Sequence, residues 1–75
     1  MTGGIRDVRV GTPYETGVGT FVTFRIEAGL MQLDHGMAVM EARRLATSAG
    51  WRVVDVAQAT WRPDESWFVD LQVVR

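Results

Sequence analysis

The sequence contains no cysteine, and this absence excludes several classes of protein. Disulfide bonds cannot stabilise the fold, and the chain can hold neither a thiolate metal site nor a cysteine nucleophile. A single histidine argues against a zinc site built from protein ligands alone. We therefore predict a protein that is not an enzyme and that carries no cofactor and no metal.

The sequence also lacks a large excess of positive or negative charge, and it lacks long apolar runs. The net charge is −1, so no strong basic field attracts nucleic acid or an anionic membrane. No apolar stretch approaches the roughly 20 residues that span a bilayer, and the first four residues do not resemble a signal peptide. These absences predict a soluble, cytoplasmic protein without a membrane partner. Lysine is absent too, so every basic side chain is arginine, which makes forked contacts that lysine cannot.

Seventy-five residues are expected to form a single domain, 1–75, with a loose start at residues 1–4. A chain of this length buries only about 60% of its unfolded surface, so its own core is marginal. Self-association or a protein partner would add the stability that a small core lacks.

Residues 34–50 predict the helix around which the chain is organised. Asp34 is a suitable N-cap because its carboxylate can accept from the free N–H groups of the first turn. Gly50 suits the position after the helix because it adopts positive φ without a Cβ clash. The predicted apolar stripe is Ala38, Ala42, Leu45 and Ala49, with Val39 and Ala46 beside it. A stripe of alanine lets a helix lie close to the surface beneath it.

The remaining segments alternate as strands do, at residues 5–10, 20–28, 51–61 and 67–75. Residues 11–19 contain three glycines and a proline and predict a loop in the arm of a long hairpin, while residues 29–33 lead into the helix. Pro63 followed by Asp64 favours a type I turn. We predict an α+β fold, ββαββ, with one helix packed on one face of a four-stranded, mainly antiparallel sheet. Numbering these four strands along the chain, the orders 2-1-3-4 and 1-2-4-3 both make every neighbour antiparallel.

The last hairpin predicts which side chains share a face. If Trp61 pairs with Trp67, the side towards the helix also carries Ala59 with Val69, Ala57 with Leu71, and Asp55 with Val73. The opposite side then carries Thr60 with Phe68, Gln58 with Asp70, Val56 with Gln72, and Val54 with Val74.

Two residues are candidates for chemistry. Asp55 falls among apolar positions, where a carboxylate needs a partner such as Arg75 or an arginine of the first strand. His35 follows the N-cap, where the positive helix end favours a neutral imidazole. A structural role is the simpler interpretation of both; a small enzyme or enzyme subunit using Asp55 or His35 is the third hypothesis. Gly17 and Gly19 precede a strand instead of a helix, so they do not predict a phosphate-binding loop.

The preferred hypothesis is a small non-catalytic module that binds protein, either as a homodimer or as an inhibitor or adaptor on a larger host or defence complex. The composition suggests a phage or mobile element as its source. The candidate interface residues are Phe21, Arg25, Val54, Val56, Phe68, Asp70, Val74, Trp61 and Trp67. The alternative is a single-stranded nucleic-acid binder, with bases stacked on Phe21 and Phe68 and with Arg9 and Arg25 on phosphates. Acidic residues interleaved on the same face argue against it.

Overall fold

The fold comes from a computed structural model that describes residues 5–29 and 33–75. Its elements are β1 (Ile5–Val10), β2 (Tyr14–Thr16), β3 (Gly19–Ala28), α1 (His35–Ser48), β4 (Arg52–Arg62) and β5 (Ser66–Val74). These described residues contain one helix packed on one five-stranded sheet, which confirms the α+β class. The predictions for residues 1–4 and for residues 30–32 of the lead-in lie outside the described residues. No helix of the described part is long and apolar enough to cross a membrane.

The sheet has the order β1-β3-β5-β4, and all of its strand pairs are antiparallel. This is the second of the two predicted orders, because β5 lies between the two strands that the helix connects. The short strand β2 falls in the segment predicted as a loop. It pairs with β3 beyond the end of β1, so β1 and β2 together form the long arm of the predicted hairpin.

The helix begins and ends where local chemistry predicts. Asp34 has an extended backbone, and its Oδ1 accepts the Met37 N–H at 2.8 Å. Gly50 has φ +92°, a conformation that suits glycine. The N-cap at Asp34 and the glycine after the helix are therefore confirmed.

The buried face of α1 is turned slightly from the predicted stripe. Ala38, Ala42 and Ala46 are each 0% exposed, whereas Leu45 is half-buried and Ala49 is exposed. The prediction that Ala49 belongs to the stripe was wrong, since Ala49 is the C-cap, where the helix ends and Gly50 turns the chain towards β4. The alanines lie on a layer of larger side chains, which are Val22, Phe24 and Ile26 of β3 and Val69, Leu71 and Val73 of β5.

The predicted register of β4 with β5 holds only near the turn. Trp61 pairs with Trp67 and Ala59 with Val69, as predicted. Two irregularities, between Val56 and Gln58 and between Val53 and Asp55, each add one residue to β4. Such bulges move every following side chain to the other face.

The bulges correct three placements. Val56 pairs with Leu71 and packs against the core, so its assignment to the face away from the helix was wrong. Ala57 and Asp55, predicted to face the helix, are exposed. The shift buries valine where the regular register would bury a carboxylate, and burying an unpaired carboxylate costs several kcal/mol.

Candidate functional site

One face of the sheet lies against α1, and we call the opposite face the outer face. Among the described residues, no helix covers it. The three longest strands contribute Phe21, Thr23, Arg25 and Glu27 of β3, Phe68, Asp70, Gln72 and Val74 of β5, and Gln58, Thr60 and Arg62 of β4. The short strands add Asp7 and Arg9 of β1, beside Glu27 and Arg25, and Tyr14 of β2, beside Phe21.

Asp70 is the centre of a polar network on the outer face. Tyr14 Oη donates to Asp70 Oδ2 at 2.7 Å, and Thr23 Oγ1 donates to Asp70 Oδ1 at 2.8 Å. The hydrogen bond to Asp70 raises the pKa of Tyr14, because the carboxylate favours the protonated phenol. The Tyr14 ring stacks on Phe21 with centroids 5.6 Å apart, which leaves Phe21 only 9% exposed.

Phe68 is covered in a similar way. The Arg62 guanidinium lies 4.9 Å from the centre of the Phe68 ring, and Gln58 Nε2 donates to Thr60 Oγ1 at 3.0 Å beside it. These side chains, with Thr23 and Asp70, line a shallow depression of about 220 Å³. Phe21 and Phe68, the two phenylalanine rings of the outer face, are therefore both in contact with another side chain of the chain.

Arg25 joins β3 to the turn between β4 and β5. Its guanidinium donates to Glu27 Oε1 and to Asp64 Oδ2, both at 2.9 Å. The Ser66 hydroxyl and then Arg25 hold the pKa of Asp64 below its usual range. Arg25 and then Arg6 lower the pKa of Glu27. The charges of this cluster are balanced within the chain.

The two tryptophans of the last hairpin lie on the helix side. Trp67 Nε1 donates to the Leu33 carbonyl at 2.8 Å, and the His35 ring meets the Trp67 ring edge-on at 5.6 Å. Trp61 lies 5.5 Å from Trp67 and remains 44% exposed. His35 is thus an aromatic neighbour at the start of the helix.

Asp55 lies elsewhere. Its carboxylate accepts from the adjacent Val56 N–H at 2.9 Å, and it pairs with Gln72, which lies about 16 Å along β5 from the Trp67 that His35 contacts. Arg75, predicted as a partner for Asp55, lies over the Trp51 ring at 3.9 Å. The structure does not bring Asp55 and His35 together. Within the described residues, no three His, Asp or Glu side chains are grouped to hold a metal ion.

The nine predicted interface residues do not share one surface. Phe21, Arg25, Phe68, Asp70 and Val74 are on the outer face, whereas Val56, Trp61 and Trp67 are on the helix side. Val54 is 56% exposed at a bulge of β4. Sequence reasoning missed Tyr14, whose place opposite Phe21 follows from continuing the first hairpin.

A second candidate surface is the side of β4 that faces away from β5, which we call the β4 edge. No other strand of residues 5–29 and 33–75 lies along it. The direction of its backbone groups follows from the turn. The Glu65 N–H donates to the Arg62 carbonyl at 3.1 Å and Glu65 has φ +62°, as in a three-residue hairpin turn. In that geometry the backbone of Arg62 points towards β5.

Backbone direction alternates along a strand, so Thr60 and Gln58 also bond to β5. Ala59 and Trp61 then direct their N–H and C=O groups towards the β4 edge. The bonding between β5 and β3 agrees with this assignment. The Ala28 N–H donates to the Glu65 carbonyl at 2.9 Å, so Glu65 directs its carbonyl towards β3 and the next residue, Ser66, directs its backbone groups towards β4.

The two edge strands of the sheet, β1 and β4, differ in how well they are protected against the addition of another strand. β1 has a bulge at Arg6, carries Asp7 and Arg9, and stops before Pro13, all of which hinder the addition of a strand. The bulges of β4 protect its first half only. The segment 58–62 is regular, and Trp61 is exposed beside it.

Comparisons of the chain with protein families, with curated proteins and with solved structures find no match.

Proposed function

We propose that this chain is a small, non-catalytic protein-binding module of the cytoplasm and that it binds through the β4 edge. The observation that carries the proposal is the regular segment 58–62, where Ala59 and Trp61 direct backbone donors and acceptors away from β5. Such groups bind an added strand through main-chain hydrogen bonds. The half-exposed indole of Trp61 supplies an aromatic anchor beside them.

The outer face supports this proposal because Phe21, Phe68 and Arg25, the groups predicted to contact bases and phosphates, already have partners within the chain, although Tyr14 itself is 43% exposed. Tyr14 covers Phe21, Arg62 lies over Phe68, and Arg25 is paired with two carboxylates. Base stacking on Phe21 would require displacement of Tyr14, and phosphate binding by Arg25 would compete with Glu27 and Asp64. A protein contact at the β4 edge leaves all of these interactions in place.

A module of this size acts by occupying a surface, so we assign it as an inhibitor or adaptor, of phage or mobile-element origin, that docks on a larger host or defence complex. Its short length and its lysine-free, cysteine-free composition support this assignment. A homodimer is the other form that the same edge allows.

Two substitutions at the β4 edge test the proposal. Ala59→Pro removes an N–H that points away from β5, and Trp61→Ser removes the anchor. Proteins captured by the wild-type chain from host lysate are identified, purified and titrated against each variant. We expect both variants to bind at least about 10-fold more weakly, since anchoring tryptophans commonly carry 2 kcal/mol or more.

Val10→Ser is the matched control, because Val10 is an exposed apolar residue of β1 at the other end of the sheet order. It should bind as the wild type does. Equal affinity of all variants, or a wild-type chain that binds neither another protein nor itself, would contradict the proposal. Binding to oligo(dT) that weakens steeply with salt would instead favour the nucleic-acid hypothesis.

A further inference from the structure

We infer that in the free protein the β4 edge pairs with the β4 edge of a second copy of this chain, so that self-pairing competes with docking on another protein. The two strands pair antiparallel about a two-fold axis at Thr60, with Ala59 of one copy opposite the partner's Trp61. This inference rests on the proposed function, because it names the occupant of the same surface. Hydrogen bonding, side-chain size and the extent of regular strand each lead to this register.

Backbone hydrogen bonding selects the register. Ala59 and Trp61 are the residues of segment 58–62 whose backbone groups point outwards. Pairing each with the other across the axis lets both exchange N–H and C=O bonds, which makes four hydrogen bonds in total. A register with Trp61 opposite itself places Ala59 against Pro63, which has no N–H. A register with Ala59 opposite itself places Trp61 against the bulge at Ala57.

Side-chain size favours the same register. Trp61 and Ala59 both project on the helix side, so each indole would lie over the partner's Ala59, a small residue that leaves room for it. On the outer face Thr60 meets its own copy, and Gln58 lies opposite the partner's Arg62. The Gln58 side-chain carbonyl can accept from that guanidinium. A register centred on Arg62 would instead oppose two like charges.

The bulges set the size of the contact. They leave five regular residues of β4 in each copy. A pair of strands of this length buries less accessible surface than the roughly 1,200 Å² of a standard protein–protein interface. We therefore expect a reversible dimer whose population rises with concentration. The assembly closes at two copies, because pairing covers both β4 edges and the remaining outer strands, β1, have bulged and charged edges.

Single cysteines test the register directly, because the chain has none of its own. Thr60→Cys places two thiols at a non-hydrogen-bonded antiparallel pair, where Cα atoms lie about 4.5 Å apart and a disulfide can form. Under mild glutathione oxidation we expect Thr60→Cys to form disulfide-linked dimers at least tenfold faster than Val10→Cys, an exposed control on β1. Gln58→Cys and Arg62→Cys should link slowly alone and rapidly when mixed.

Sedimentation of chains without cysteine provides a second measurement that does not depend on folding of the cysteine variants. Wild type and Val10→Ser should dimerise as concentration rises, whereas Ala59→Pro should stay monomeric with an unchanged circular dichroism spectrum. A wild-type chain that stays monomeric at every concentration, or Thr60→Cys that links no faster than Val10→Cys, would overturn the inference. If the monomer still binds another protein through Ala59 and Trp61, the proposed function stands without it.

Discussion

At the scale of the residue, Asp34 and Asp55 show which positions a sequence can assign. The role of Asp34 depends on the next three residues, and its carboxylate meets the Met37 N–H as local chemistry predicts. The environment of Asp55 depends on how many extra residues β4 has relative to β5. Two bulges in β4 leave Asp55 exposed to solvent, and the alternation of apolar and polar residues in the sequence does not show where these bulges occur.

Asp34 allows a quantitative test of the cap. Asp34→Ala should lower the free energy of unfolding by about 1 kcal/mol, because it leaves N–H groups of the first turn without an acceptor. Asp34→Asn keeps an acceptor at the same place and should remain close to the wild type. Urea denaturation of the three proteins measures the difference. Equal loss from both variants would show that charge, and not the hydrogen bond, sustains the cap.

At the scale of the element, the helix lies close to the sheet because its buried face is alanine. Periodicity predicts an alanine face, and Ala38 and Ala42 belong to it as expected. The choice of Ala46 over Ala49 depends on where the helix ends, because Ala49 is the C-cap. The apolar spacing in the sequence accommodates either residue, so this choice belongs to the packed helix.

Enlarging one alanine tests this close contact. Ala42→Leu should cost about 1–3 kcal/mol of stability, because a side chain with 0% exposure has no room for three added carbons. Ala49→Leu adds the same atoms at an exposed position and should change stability little. Thermal and urea unfolding of the two variants compare them. Similar stabilities would mean that the helix is free to lift from the sheet.

At the scale of the whole molecule, Arg25 links segments that are distant in sequence. It connects β3 through Asp64 to the turn of the β4–β5 hairpin, and through Glu27 it also meets Arg6 of β1. Ser66 adds a buried hydroxyl that donates to Asp64 at 2.5 Å. This cluster fixes the end of the sheet from which the proposed pairing segment 58–62 extends.

The cluster predicts a loss of stability in acid. Glu27 and Asp64 have lower pKa values in the folded chain than in the unfolded chain, so both favour the folded state when ionised. Their contribution is complete above about pH 5 and is lost as pH falls through the folded pKa values. The melting temperature should therefore decrease between pH 5 and pH 2.

Arg25→Gln provides the control for this pH dependence. It removes the positive charge shared by Glu27 and Asp64, so the slope of melting temperature against pH should become shallower in the same range. A high salt concentration should also flatten the slope, because these groups are partly exposed and their attraction is screened. An unchanged slope in Arg25→Gln would assign the acid sensitivity to other carboxylates.

The sequence by itself determined the α+β fold class, the positions of the helix and four main strands to within one or two residues, and two permitted sheet orders. Those features follow from periodicity, caps and turn residues, which act over a few neighbouring positions. The tertiary structure alone decided the sheet order, the bulges that move Val56 inwards and Asp55 outwards, and the hydrogen bond of Tyr14 to Asp70. It also decided which backbone groups face the β4 edge. These features depend on which strand lies beside which, and that choice belongs to the packing of the whole chain.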